Sequence, residues 1–152
     1  MRTRFALSGC ALLLAACPPR SPATLAPVLA AARVYYADGP AFRDSTRLVV
    51  RDVTAWQAVW TQATSTQPPA PPLPAVDFGR EMVLVVAGGH MTAGDQIHVD
   101  SVGVRGGYFV AVVRTVECPP FPAAVYPLEI VRVRRSDKPA TFIEHRERAT
   151  SC

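Results

Sequence analysis

The chain of 152 residues predicts an α+β domain: a mainly antiparallel, twisted, sandwich-like β-sheet with one amphipathic helix packed on it. Three observations carry this prediction. After residue 75 the apolar residues recur in strand-length runs and alternations, separated by Gly- and Pro-rich turns. Met82-Val83-Leu84-Val85-Val86-Ala87 is apolar on both faces, as a central strand covered on both sides must be. A single convincing helical period runs through Val53, Trp56, Val59, Trp60 and Ala63.

The first segment, residues 1–16, reads as a lipoprotein signal peptide. Arg2 and Arg4 precede an uncharged, mostly apolar run over residues 5–16, too short for the ~20 residues of a membrane span. Leu14-Ala15-Ala16-Cys17 meets the requirements of a lipobox, a branched apolar residue three before the Cys and small residues between. Leu7-Ser8-Gly9-Cys10 matches the same pattern but leaves only a stub of apolar chain before it, and plain secretion is the other alternative. Cys17 is thus the expected lipid attachment site. Two or more acyl chains anchor a protein stably, at ~0.8 kcal/mol per buried methylene. Pro18 rather than Asp follows Cys17, which by resemblance to known lipoproteins favours the outer membrane. The expected location is the bacterial cell envelope, facing periplasm or surface.

Residues 17–32 combine four Pro and five Ala with a single charge, Arg20, and read as a tether. The domain then occupies residues 33–152. Val34-Tyr35-Tyr36 suits a short strand, Asp38-Gly39-Pro40 a turn, and residues 47–51 a second strand. Thr54-Ala55-Trp56-Gln57 fits a capping box with Thr54 at the cap. Trp56 and Trp60, an i,i+4 pair, read as core rather than as a ligand platform. The helix must end before residues 67–74, where Pro68, Pro69, Pro71, Pro72 and Pro74 permit neither helix nor interior strand. That stretch is polyproline-like and reads as a stiff crossover, with a docking ligand as the alternative.

Strands follow at residues 82–87, 96–102, 108–116, 128–133 and 140–145. The alternation through Ile97 and Val99 slips at Ser101-Val102, the mark of a bulge. It places His98 on the opposite side, toward solvent. Val104-Arg105-Gly106-Gly107-Tyr108 reads as a hairpin turn, and Pro119-Pro120-Phe121-Pro122 ends the following strand.

Charge and cysteines bound the function. Losing the signal removes two of the 16 basic residues and none of the 12 acidic ones, leaving +2. The high isoelectric point therefore does not indicate nucleic acid as a partner. Arg132, Arg134, Arg135, Lys138, Arg146 and Arg148 read as a solvated strand face, with anionic lipid headgroups as the alternative contact. Cys118 and Cys152 remain as an even pair in an oxidising compartment and are expected to form a disulfide; two free thiols are the alternative.

No catalytic, cofactor-binding or metal-ligating constellation stands out. Gly-x-Ser-x-Gly is absent, and His90, His98 and His145 lack metal-ligand spacing. Asp77, with only Glu81 near it, reads as a turn residue accepting backbone N–H groups. The loop carrying Gly88, Gly89, His90, Thr92 and Gly94 is the candidate recognition loop, without the Gly-Lys-Ser/Thr of a phosphate cradle.

Over residues 76–134 the order of these pieces resembles the PrcB C-terminal domain. The resemblance rests on Val76-Asp77-Phe78, the apolar strand from Met82, Gly88-Gly89 with Thr92 and Gly94, Ile97-His98-Val99, Cys118-Pro119, and Tyr126-Pro127 before Ile130-Val131-Arg132. The family usually carries Gly-Gly-Tyr where this chain has Ala93-Gly94-Asp95. The resemblance implies a lipoprotein-type accessory subunit that stabilises a surface protease complex, with no catalytic residues. The expected function is therefore a non-enzymatic envelope lipoprotein that binds or scaffolds a protein, needs no cofactor, and meets the membrane through its lipid. Alternatives are a binder of a small ligand or polysaccharide on Tyr35, Tyr36 and Tyr108, and, behind it, a small hydrolase around His90 and Asp77.

Overall fold

The computed structural model describes residues 25–27 and 33–152. The signal segment, Cys10, Cys17 and the rest of the Pro/Ala stretch lie outside the described residues. Ten strands and one helix follow in order: β1 (Ala26–Pro27), β2 (Arg33–Ala37), β3 (Thr46–Val50), α1 (Val53–Ala63), β4 (Glu81–Ala87), β5 (Met91–Thr92), β6 (Gln96–Arg105), β7 (Tyr108–Glu117), β8 (Ala124–Val125), β9 (Leu128–Arg134) and β10 (Ala140–Arg148).

Two four-stranded sheets face each other. The first has the order β2-β9-β4-β3 and the second β1-β6-β7-β10, while β5 and β8 form a separate pair. The first sheet and the β6–β7 hairpin are antiparallel; β10 joins β7 in parallel, from Ala140 beside Phe109 to Arg148 beside Glu117. Residues 135–139 carry the chain from one sheet to the other, and the Phe109 N–H donates to the Pro139 carbonyl there at 2.9 Å.

The alternation of β4 explains the layering. Met82, Leu84 and Val86 point into an inter-sheet core with Ile97, Val99, Phe109, Ala111, Val113, Val131 and Val133. Val83, Val85 and Ala87 point the other way, into a second core under α1 with Trp56, Val59, Trp60, Leu128 and Ile130. The apolar run of β4 is thus buried on both faces, and the domain has three layers: sheet, sheet, helix.

Asp52, not Thr54, caps the helix. Its carboxylate accepts the Ala55 N–H at 2.8 Å and α1 starts at Val53. Asp is as good a cap as Thr, and placing the cap at Asp52 lengthens the helix by two residues. Val53 then falls in the first turn and is 55% exposed, off the buried face. The Pro-rich crossover is bound to the helix by both indoles: Trp56 Nε1 donates to the Pro74 carbonyl at 2.9 Å and Trp60 Nε1 to the Pro71 carbonyl at 3.0 Å. Proline offers acceptors without donors, so a buried tryptophan N–H is a fitting partner.

The predicted bulge sits where the alternation slips, with the β6–β7 register shifting between Val99 and Ser101. Gly106 and Gly107, at φ of 59° and 87°, make the tight turn between these strands. The tether reading needs one correction: Ala26 and Pro27 pair with Val102 and Ser101 on the edge of the second sheet. An edge strand tolerates proline, which an interior strand does not.

Candidate functional site

A polar seam forms where β2 of the first sheet laps over the edge of β6 in the second. Its centre is Glu129 on β9, a carboxylate only 2% exposed. Leu128 and Ile130 point toward the helix, so Glu129 points with Val131 and Val133 between the sheets. One carboxylate oxygen accepts from Arg33 Nε at 2.6 Å and lies 3.4 Å from His98 Nδ1; the other accepts the Val99 N–H at 2.6 Å. Burial pushes this carboxyl up, but the bonds from His98, Val99 and Arg33 outweigh it and hold it below the usual range.

His98 corrects the sequence expectation. Its side chain is 17% exposed rather than solvated, because β2 of the opposite sheet covers the edge strand that carries it. Its ring stacks on Tyr36 at 5.7 Å between centroids, and Nε2 lies 3.1 Å from the Gln96 side chain. Burial first, then the nearby Asp38 carboxylate, hold the Tyr36 phenol well above its ordinary value, so it stays protonated. Arg33 lies over the same ring at 5.7 Å. Beside this cluster is a cleft of about 280 Å3, lined in part by Arg33, Tyr36, Asp38, Gln96 and His98. Such a cleft can hold a small polar ligand by hydrogen bonds and ring contact.

The loop after β4 is packed rather than open. Gly88 donates its N–H to the Pro127 carbonyl at 2.8 Å, and a Cβ there would overlap the Met91 sulfur. Gly89 has φ of 72°, and a Cβ there would overlap the backbone of Asp44 and Ser45. Thr92 is in β5 and donates its N–H to Asp95. Gly94, at φ of 96°, leaves room for the Cys118 sulfur. His90 is exposed, as is Gly94, and its ring stands edge-on to Tyr126 at 5.6 Å. Asp95 closes the loop: its two carboxylate oxygens accept the Thr92 and Cys118 N–H groups at 2.9 and 2.7 Å.

Cys118 and Cys152 meet as a disulfide, their Cα atoms 5.9 Å apart. The pair ties the chain after β10 to the end of β7, beside Gly94. The remaining sequence candidates disperse. Tyr35 packs edge-on against Trp60 at 5.3 Å, Tyr36 lies in the seam, and Tyr108 is 52% exposed at the β6–β7 turn. The three tyrosines share no surface. Asp77 accepts the Gly79 N–H at 3.0 Å, a turn role, and among the described residues no hydrogen bond or ion pair joins it to His90.

On the side of the sandwich away from the seam, β10 is the terminal strand of its sheet. Every residue from 140 to 148 except Phe142 is exposed. Arg47 of β3 forks onto Glu144 at 2.8 and 3.0 Å, joining the edges of the two sheets. Glu147 pairs with Arg114, and Arg146 and Arg148 both pair with Glu117.

Glu129 was within reach of the sequence. It is a carboxylate in phase with the apolar Val131 and Val133 of β9, which is the signal of a buried, partnered charge. Its partners were not legible, since Arg33 and His98 stand 96 and 31 residues away.

No family model, curated protein or solved structure matches the chain.

Proposed function

We propose that this protein is a non-enzymatic module of the bacterial cell envelope, anchored through a lipid on Cys17, that docks a protein partner. The observation that carries the reading is the open edge of β10, nine residues that among the described residues pair on one side alone. An exposed edge recruits an extended segment by main-chain hydrogen bonds, with alternate side chains setting specificity. The charges of β10 are engaged with neighbouring strands, which discourages edge-to-edge self-pairing while keeping the backbone accessible. The residues that resemble the PrcB C-terminal domain suggest a protease complex as the partner, stabilised by the docked module.

A photocrosslinking residue in place of His145 tests this, with the same residue in place of exposed Gln57 on α1 as control. In intact envelopes the β10 position is expected to give one discrete protein adduct and the helix position none. Equal patterns from both positions would reject β10 as the docking edge.

One observation favours a second reading, an envelope lipoprotein binding a small ligand or polysaccharide: the cleft beside Tyr36, His98 and Arg33. Calorimetric titration with envelope sugars would support it through heats abolished by Tyr36→Ala; no heat from any of them would remove it.

A further inference from the structure

The two sheets part at the end of the sandwich away from Glu129. There the ends of β6 and β9 and the chain leading to β10 enclose a groove of about 760 Å3. Its floor is apolar, made by Val102, Val104 and Phe109. Val104 is paired with Phe109 on the inward side of its sheet, yet it is 45% exposed while Phe109 is 4% exposed. A β-branched side chain on the inner face of a sandwich, left open to water, marks apolar surface that the fold itself does not cover.

The rim is cationic. Arg134 and Lys138 line the groove, and among the described residues neither makes an ion pair. The acid at the rim, Asp137, is neutralised by Arg135 at 2.9 Å. An apolar floor under two uncommitted cations complements an anionic amphiphile.

The position of the anchor says which one. Ala26 lines this groove, and Cys17 stands nine residues before it. Nine extended residues span at most ~30 Å, so an acylated Cys17 holds the groove within that distance of a bilayer. We propose that the groove binds one anionic membrane phospholipid, its phosphate between Arg134 and Lys138 and an acyl chain along Val102, Val104 and Phe109. The proposal rests on the envelope-anchored reading given above. A zwitterionic lipid brings an ammonium group toward the same two cations and is the poorer ligand.

Native mass spectrometry of the full chain, purified from envelopes in detergent, separates the two ideas. The mass of the protein reports whether Cys17 is acylated, and added lipid reports the groove whether or not it is. Phosphatidylglycerol is expected to give at least fivefold more adduct than phosphatidylcholine of the same chains. Arg134→Gln with Lys138→Gln should erase that preference, and Val104→Asn should lower both adducts. These side chains are exposed, so the variants are expected to fold. Equal adducts from the two lipids, or a preference untouched by the double variant, would overturn the proposal. So would full displacement of the lipid by an equal concentration of inorganic phosphate, which would leave a simple anion site.

Discussion

The Glu129 carboxylate takes the Val99 N–H at 2.6 Å, from one sheet to the edge of the other. Among the described residues β1 covers β6 at Ser101 and Val102 alone, and this bond satisfies a backbone donor beyond them. A buried carboxylate does there what a strand's carbonyl does along a ladder.

Glu129→Ala should cost about 2–3 kcal/mol, because it strands the Val99 N–H in a buried position. Arg33 is 44% exposed and can rehydrate, so its lost pairing adds little. Glu129→Gln keeps an acceptor for Val99 and should cost only about 1 kcal/mol. Urea denaturation of the three proteins checks the order; equal losses for Ala and Gln would mean that the charge, not the acceptor, matters.

Acid should weaken the same seam. The folded Glu129 carboxyl lies below the usual range, so the unfolded chain binds its proton more readily. The stabilisation is fully present above the unfolded value, about 4.3, and is lost as pH falls through the lower folded value. Denaturation midpoints are expected to fall for the wild type below about pH 4.3, and to fall less steeply for Glu129→Gln. Parallel decline of both proteins would assign the acid sensitivity to other groups.

The two indole bonds to the Pro-rich crossover can be removed with most of the ring bulk retained. Trp56→Phe and Trp60→Phe should each cost about 1 kcal/mol or somewhat more, from the unmade bonds to Pro74 and Pro71 and a smaller ring. Trp56→Ala, at a position 1% exposed, should cost about 3–5 kcal/mol. Thermal melts would decide; a Phe variant as stable as the wild type would show that packing alone holds the crossover.

Opening the Cys118–Cys152 bridge, by reduction or by Cys152→Ser, should lower stability by about 3–4 kcal/mol, as expected for a closed loop of this size. The two cysteines are 34 residues apart. Chemical denaturation with and without reductant measures it. A loss confined to fraying of β10 in hydrogen exchange, with the global midpoint unchanged, would localise the bridge's effect to that strand.

Periodicity made the layers legible. The two-sided apolar run of β4 announced a covered strand, the slip after Val99 announced the bulge, and Trp56 with Trp60 announced the buried face of α1. What stayed hidden depended on contacts between distant residues. His98 alternates away from Ile97 and Val99, which from sequence alone means solvent; β2 of the other sheet takes the place of that solvent. The parallel entry of β10 follows from where residues 135–139 cross, and no local pattern encodes a crossing. The cap passed from Thr54 to Asp52 because two good capping residues stand close together.

The placement of β9 between β2 and β4 carries a kinetic consequence. Ala37 pairs with Leu128, and Ala87 pairs with Leu128 on its other side. A strand late in the chain is thus the interior member of the first sheet, and two earlier strands wait for it. Until β9 arrives, β4 presents an apolar strand with one unpaired edge to its surroundings, the kind of surface on which partly folded chains aggregate. Closing such distant pairs is slow. A chain built this way stays open to aggregation until β9 docks between β2 and β4.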